Sequence, residues 1–166
     1  MSTSTPSTPS RIVIERTYRA TLDEVWELWT TKDGFESWWG PEGFRVEVHA
    51  IEARLGGALH YDMIAATPEM IAAMAAMGRP ASHPARATFT ELRRHERLAI
   101  TSVIDFLPGV TPYESTIAVD LAASGDTVRM TVTLDPMHDE ELTKRSVMGF
   151  TSQLAKLDRR FGAAST

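Results

Sequence analysis

Beyond Gly43, turn residues divide the sequence into short segments with apolar side chains at alternate positions. The turn signals are Gly56-Gly57, Arg94-His95-Glu96 and Ser124-Gly125-Asp126, and each lies between two such segments. A tight turn between two segments of period two is typical of a β-hairpin. Three successive hairpins predict an antiparallel meander, which restricts the fold more than any other feature. The predicted strands are 44–54, 58–65, 86–93, 98–106, 113–121 and 127–134.

A further strand and a helix precede the meander. Residues 11–19 are rich in β-branched side chains and hold neither glycine nor proline, which favours a strand. Thr21 and Glu24 form a capping box, which is typical of a helix start. The spacing that follows places Trp26 and Trp29 on one apolar face of this helix.

A second short helix is predicted directly afterwards. Asp33 and Glu36 repeat the capping pattern, and Gly40-Pro41 ends the helix. Its apolar side holds Phe35, Trp38 and Trp39. Because neighbours on a helix point in different directions, we expect one of the two adjacent tryptophans to be more exposed. The tryptophans either gate the mouth of a cavity or form part of the core.

The last segment predicts a long amphipathic helix. Acidic residues 139–141 lie in its first turn, basic residues lie in its last turn, and Gly162 follows. Its apolar stripe is Leu142, Val147, Phe150, Leu154, Leu157 and Phe161.

Residues 67–84 interrupt the meander. Thr67 is a suitable N-cap, Pro68 suits the first helical position, and the following residues are methionines and alanines, so we predict an inserted helix. Met70, Met74 and Met77 share one face of it. This helix could act as a lid over a cavity, as a dimer contact, or as a small satellite core.

Composition limits the classes of protein to which the chain can belong. The 166 residues include no cysteine and carry a formal net charge of −5. Absence of cysteine excludes a disulfide scaffold and a zinc–cysteine site, and an acidic balance argues against nucleic acid as a partner. No apolar run approaches the ~20 residues of a membrane span. We therefore expect a cytoplasmic protein with neither a membrane span nor a nucleic-acid partner.

One domain is expected between two short tails. Residues 1–10 contain only Met, Ser, Thr and Pro, which predicts a disordered tail, and 163–166 form a second tail. The domain at 11–162 is of class α+β. Its curved seven-stranded antiparallel sheet wraps around the long C-terminal helix, with two short helices after the first strand. The space between sheet and helix would be a ligand cavity unless bulky inward side chains close it.

Residues spread along 11–162 resemble a known family. They lie in or next to the predicted elements and comprise Arg16, Ala20, Val25-Trp26, Trp38-Trp39-Gly40-Pro41, Gly43-Phe44, Gly56-Gly57, Gly149-Phe150, Leu154 and Leu157. The pattern resembles the START-like, SRPBCC superfamily, in the branch named after the C-terminal domain of the activator of the heat-shock-protein-90 ATPase. This resemblance implies a helix-grip fold with an interior cavity. The chain departs from the pattern at the 67–84 insertion and at Phe150, where many relatives carry tryptophan.

The superfamily includes lipid carriers, polyketide cyclases, hormone receptors and co-chaperone domains, so the resemblance implies fold more safely than function. Our first hypothesis is non-catalytic binding of a small, largely apolar or lipid-like ligand, with no cofactor. An enzyme of cyclase, dehydratase or hydrolase type and a chaperone-interaction module stay open, as does a homodimer. The cavity candidates are Trp38, Trp39, Phe44, Tyr61, Met63, Met74, Asp105, Tyr113, Phe150, Gln153 and Leu154.

Catalysis in such a cavity would need polar groups that project into it. The residues that could do so are Arg16, Tyr61, Asp105, Tyr113 and Gln153. A buried acid or tyrosine can act as a proton donor or acceptor if its pKa is shifted. The sequence contains no nucleophile elbow, phosphate-binding glycine loop or metalloprotease motif.

One metal site is conceivable on the first hairpin. His60 and Asp62 alternate onto one face of their strand, and His49 lies on the partner strand. Two histidines and a carboxylate match a known zinc-ligand set. However, Leu59, Tyr61 and Met63 make the opposite face the more apolar one, so we expect His60 and Asp62 to face solvent.

Overall fold

The alternating segments form strands that pair with their sequence neighbours. The structure, a computed structural model, describes residues 11–105 and 109–161. The strands are β1 (Ile12–Tyr18), β2 (Phe44–Ile51), β3 (Ala58–Ala65), β4 (Ser82–Arg93), β5 (Arg97–Ile104), β6 (Tyr113–Ser124) and β7 (Thr127–Leu134). They form one seven-stranded antiparallel sheet in the order β1-β7-β6-β5-β4-β3-β2. The predicted α+β fold class is confirmed.

One face of the sheet is apolar, and α4 (Glu140–Phe161) packs against it. Alternate side chains of β7 from Val128 to Leu134 are buried, as the period of a strand requires. Phe150, Leu154 and Leu157 of α4 belong to the same core cluster. The predicted arrangement, a curved sheet around the C-terminal helix, is therefore what the chain adopts.

Three shorter helices lie between strands: α1 (Leu22–Thr30), α2 (Lys32–Glu36) and α3 (Pro68–Ala76). The capping box of α1 is present, because the Thr21 side chain accepts from Glu24 N and the Glu24 side chain accepts from Thr21 N. Thr67 caps α3, and Pro68 stands in its first turn. The residues that start α1 and α3 were thus predictable from the sequence.

The prediction for α2 is wrong in its boundaries. Its N-cap is Thr31, whose hydroxyl accepts from Gly34 N at 3.0 Å, and not Asp33. The helix ends at Glu36, so Trp38 and Trp39 lie beyond it. The physical reason is the proximity of α1, because the same Thr31 hydroxyl also donates to Glu27 O at 2.9 Å and fixes the start of the new helix there.

Several strand ends also differ from prediction. β2 stops at Ile51 because the chain then forms a wider turn, in which Glu52 N donates to Ala58 O. β4 begins at Ser82 because the stretch before Arg86 still pairs with β3. β6 continues to Ser124 along β7.

Some sequence predictions lie outside the described residues. They are the tails 1–10 and 163–166, Phe106 at the end of a predicted strand, and the capping residue Gly162. Among the helices that the structure describes, none combines the length and the apolar character needed to cross a membrane.

Candidate functional site

Tightly packed aromatic rings lie between α4 and the sheet. Trp29 lies with its ring centroid 5.0 Å from that of Trp38, 5.4 Å from that of Trp39 and 6.4 Å from that of Phe150. Trp38 and Trp39 are 1% and 7% exposed, so the expectation that one of them is more exposed is wrong. Both follow α2 instead of lying on it, which lets both rings turn inward. We call this cluster the aromatic plug: Trp29, Phe35, Trp38, Trp39, Tyr61 and Phe150.

Most polar atoms of the plug are used inside the protein. Trp38 Nε1 donates to Leu28 O at 2.9 Å, and Trp39 Nε1 donates to the Tyr61 hydroxyl at 3.1 Å. Burial raises the pKa of Tyr61 to about 12, against a smaller opposite effect of the Trp39 hydrogen bond. Tyr61 is therefore a neutral phenol at physiological pH. Trp29 Nε1 is the buried side-chain polar atom without a partner in the described part of the chain.

Helix α4 holds the loop Gly40–Phe44, which we call the glycine loop. The buried Gln153 side chain accepts from Gly40 N at 2.8 Å. Lys156 Nζ donates to Gly40 O at 2.8 Å and to Phe44 O at 3.2 Å. Desolvation lowers the pKa of Lys156, while nearby Glu42 acts in the opposite direction. Gln153 and Phe44, both predicted cavity residues, thus help to anchor this loop.

Methionines occupy the space beside the two glycines of the glycine loop. A Cβ added to Gly43 would meet Met70 Cε at 3.0 Å, and one added to Gly40 would meet Met63 Sδ at 3.2 Å. Both glycines have positive φ, at +98° for Gly40 and +91° for Gly43, which also favours glycine there. Met74 of α3 is buried, whereas Met77 is 60% exposed. Helix α3 therefore packs against the glycine loop and β3, and part of its methionine face is exposed to solvent.

The predicted cavity residues fall into groups. Four of them belong to the plug and one to the adjoining core: Trp38, Trp39, Tyr61 and Phe150 in the plug, and Leu154 in the core. Beside the glycine loop are Phe44, Met63 and Gln153, with Met74 nearby on α3. Asp105 and Tyr113 lie apart from both groups.

Each of the remaining polar candidates contacts a different part of the protein. Asp105 is exposed and pairs with Arg86 at 3.4 Å, on the outer side of the sheet. The Tyr113 hydroxyl accepts from a backbone N–H of the loop before α4 at 3.0 Å. Arg16 lies 3.7 Å from Asp158 on α4. Within the described ranges, no hydrogen bond joins any two of the five polar candidates named from the sequence.

The two histidines of the first hairpin do not come together around Asp62 as a metal site would require. His49 Nε2 lies 2.9 Å from Asp62 Oδ2, next to a register shift between Val48 and Ala50. His60 is exposed on the outer face, where it pairs with Arg86 in the strand register. Across the residues that the structure describes, no three His, Cys, Asp or Glu side chains are grouped so as to hold a metal ion.

Small side chains line part of the inner face of the sheet, beginning beside the plug residue Tyr61, which pairs with Ala85 in the strand register. Ala87, Ser102 and Ser115 are neighbours across β4, β5 and β6, and Ala85 stands two residues before Ala87. Ser102, Ser115 and Ala85 are partly exposed although they lie on the inner face. Ile117 on β6 and Val147 on α4 border the core in the same partly buried state. We call this region the open end of the grip: Ala85, Ser102, Ser115, Ile117 and Val147.

Two clefts lie elsewhere on the surface. One, of about 370 Å³, is on the outer face of the sheet at His60, Arg86 and Thr101. The other, of about 490 Å³, lies between α1, α2 and the end of α4, at Glu24 and Arg160. Neither cleft is lined by any of the predicted cavity residues.

Sequence reasoning did not name Trp29, Ser102 or Ser115 as site residues. Period two could have found the serines, because Ser102 alternates with Ile100 and Ile104, and Ser115 alternates with Ile117. No sequence signal marks the missing partner of Trp29 Nε1, since that depends on which rings surround it.

Solved structures with the same fold come from several bacteria. Protein CV1439 from Chromobacterium violaceum is 20% identical, with a TM-score of 0.73, covering 92% of this chain and 97% of that one. The AHSA1 protein SPO3351 from Silicibacter pomeroyi is 19% identical, with a TM-score of 0.70 and coverage of 91% and 96%. Protein NE0264 from Nitrosomonas europaea is 20% identical, with a TM-score of 0.67 and coverage of 90% and 92%. These likenesses show the fold alone.

Sequence comparison identifies the family. Among curated proteins, none matches this sequence significantly. The family model described as "Activator of Hsp90 ATPase homolog 1-like protein" matches residues 19–162, which include α1, the glycine loop, the open end and all of α4. The chain therefore belongs to the Activator of Hsp90 ATPase homolog 1-like protein family, in the START-like superfamily that its sequence resembles.

Proposed function

We propose that this protein binds a small, largely apolar ligand between α4 and the inner face of the sheet, at the open end of the grip. Membership of the family supports a ligand-binding type of domain. The identity of the site and the class of ligand are our own inference from the distribution of side-chain size and burial.

The observation that carries the proposal is the contrast between the two ends of the inner face. Towards the turn between β4 and β5, large residues such as Phe89 and Leu98 are fully buried. At the open end, alanine and serine take the corresponding positions, and Ser102 and Ser115 keep part of their surface accessible. Small side chains on a concave surface leave unfilled volume, which an apolar guest can occupy.

The lining determines the class of ligand. Ile117 and Val147 supply aliphatic surface, and Ala85 adds a methyl group. Apolar surface removed from water contributes about 25 cal/mol per Å², so burial of a hydrocarbon group is the main source of affinity there. The serine hydroxyls can orient one polar group, but they do not supply a charge. A compact, largely uncharged molecule fits these surroundings.

Enzymatic turnover would require polar groups that converge on one point. Tyr61 and Gln153 are bonded to the plug and the glycine loop, and Asp105 faces outward. We therefore favour binding over catalysis. The family's name refers to a chaperone ATPase, but no specific contact in the described residues favours that partner.

The proposal is tested by filling the open end. Ser102→Leu adds bulk on the inner face, and the control Val103→Leu adds one methylene on the outer face of the same strand. In a thermal-shift screen of apolar probes, a probe at about 100 times its Kd stabilises the native state by about 2.7 kcal/mol, a rise of several degrees in Tm.

We expect at least one probe, such as naphthalene or 2-octanone, to raise the Tm of the wild-type protein and of Val103→Leu. The same probe should have little effect on Ser102→Leu. If no apolar probe raises the Tm, or if the two variants respond alike, the proposed site is wrong.

A further inference from the structure

We propose that the ligand carries a neutral oxygen acceptor, such as a ketone or ester carbonyl, and that Trp29 Nε1–H donates to it. This inference rests on the proposed function and adds the chemical class of the ligand's inner end. It starts from the buried indole N–H that lacks a partner within the described residues.

None of the aromatic rings in contact with Trp29 accepts a hydrogen bond from its N–H. The neighbouring rings are Trp38, Trp39 and Phe150. Both neighbouring indoles are donors whose N–H groups are already used, by Leu28 O and by the Tyr61 hydroxyl. Phe150 has no hydrogen-bonding group at all. Trp29 is thus the one indole of this group that lacks an oxygen to which it can donate, among the residues described.

Water is a poor substitute at this position. Trp29 is 0% exposed, so bulk solvent does not reach the ring. A buried water needs two to four polar partners, which aromatic rings do not provide. The rings of Trp38 and Trp39 stand at 71° to that of Trp29, but an N–H···π contact is weaker than a hydrogen bond to oxygen. An unpaired buried donor destabilises the fold, so its presence calls for an explanation.

Trp29 is linked to the helix that borders the proposed site through its contact with Phe150 of α4. Its ring stacks on that of Phe150 at an interplanar angle of 24°. Phe150 follows Val147 by about one helical turn on the buried side of α4, so the two side chains are neighbours on that helix. A ligand that enters at the open end and displaces the Phe150 ring would bring its leading atoms to the indole.

The charge of the surroundings decides which acceptor fits. A carboxylate buried among aromatic rings would lose its hydration without a positive partner, which is strongly unfavourable. Lys156, a partly buried cation of α4, is already bonded to Gly40 O and Phe44 O. A neutral carbonyl avoids this cost and still accepts the hydrogen bond.

The test uses the full chain, labelled with nitrogen-15, and three probes of equal chain length: 2-octanone, n-octane and octanoate. The indole N–H signals of all four tryptophans are followed during titration. We expect 2-octanone to bind about tenfold more tightly than n-octane, as one hydrogen bond to a buried donor allows. The Trp29 signal should move downfield with the ketone alone, while those of Trp38 and Trp39 change less because both already have acceptors.

A variant supplies the second measurement. Trp29→Phe keeps an aromatic ring but removes the N–H, so it should bind 2-octanone and n-octane with equal affinity. If that variant does not fold, the wild-type indole signals still decide.

Equal binding of ketone and hydrocarbon to the wild type, with an unmoved Trp29 signal, would overturn the inference and leave the proposed function intact. Tightest binding of octanoate would overturn the choice of a neutral acceptor. Failure of all three probes to bind would overturn the proposed function, and this inference with it.

Discussion

Two helical glycines show how the surroundings of one residue decide the effect of a substitution. A Cβ added to Gly149 in α4 meets no atom within 4 Å, and its φ is not positive. Because glycine disfavours a helix interior relative to alanine, we expect Gly149→Ala to raise the free energy of unfolding by about 0.5–1 kcal/mol. Denaturant unfolding measures the change.

Gly34 in α2 is the matched control for the same substitution. A Cβ there would lie 2.0 Å from Glu27 O, so the backbone of α1 or α2 would have to shift. We expect Gly34→Ala to lower the free energy of unfolding by about 1–3 kcal/mol. Effects of the same sign at both positions would mean that the contact between α1 and α2 is not as described.

The buried phenol of Tyr61 should make the free energy of unfolding depend on pH in the alkaline range. Its pKa is raised by burial to about 12, above the ordinary value of 10.0, so the folded protein holds the phenolic proton more tightly than the unfolded chain. The stabilisation is fully present below pH 10.0 and is lost as pH rises towards 12. Within that window the slope is about 1.4 kcal/mol per pH unit for one proton.

The variant Tyr61→Phe separates this contribution from others. Its stability should fall less steeply over the same alkaline window, because the variant has no Tyr61 proton to lose. Some pH dependence should remain, because burial also raises the pKa of the Tyr18 phenol. At neutral pH the variant should be less stable by about 1–3 kcal/mol, since Trp39 Nε1 loses its acceptor. Identical alkaline slopes for the two proteins would show that Tyr61 is not the buried phenol described.

At the scale of elements, the contact between α4 and the glycine loop sets the position of the aromatic plug. Gln153 is 3% exposed and accepts from Gly40 N, so Gln153→Ala leaves a buried backbone N–H unpaired. We expect the free energy of unfolding to fall by about 1–3 kcal/mol. Ser152→Ala is the neighbouring control, because its bond to Glu42 N is exposed and water can replace it. Thermal unfolding of both variants tests the difference, and equal losses would contradict the role of Gln153.

Most elements could be predicted from the sequence because their signals are local. Turn residues and period two identified the strands, and Thr21 and Thr67 marked two helix starts. The errors arose where a contact distant in the sequence decides the local structure. Thr31 caps α2 because α1 lies beside it, and β4 begins early because β3 is there to pair with it.

The candidate site was harder to predict than the fold. Trp38 and Tyr61, which were predicted as cavity residues, belong to the hydrophobic core cluster that also contains α4 residues. The small residues of the open end, such as Ser102, attract no attention in a sequence search for bulky or reactive groups. Their proposed role depends on neighbours from other strands, which only the three-dimensional arrangement places side by side.

At the scale of the whole molecule, the central claim is that the inner face of the sheet is filled towards the turn between β4 and β5 and receives a ligand at the open end of the grip. Intermolecular nuclear Overhauser effects test this most directly, with the methyl groups of the protein labelled and a bound apolar probe such as 2-octanone. We predict contacts from the probe to the methyl groups of Ala85, Ile117 and Val147. Contacts to Val13 and Val103, exposed on the outer face, with none to those inner methyl groups, would contradict the account.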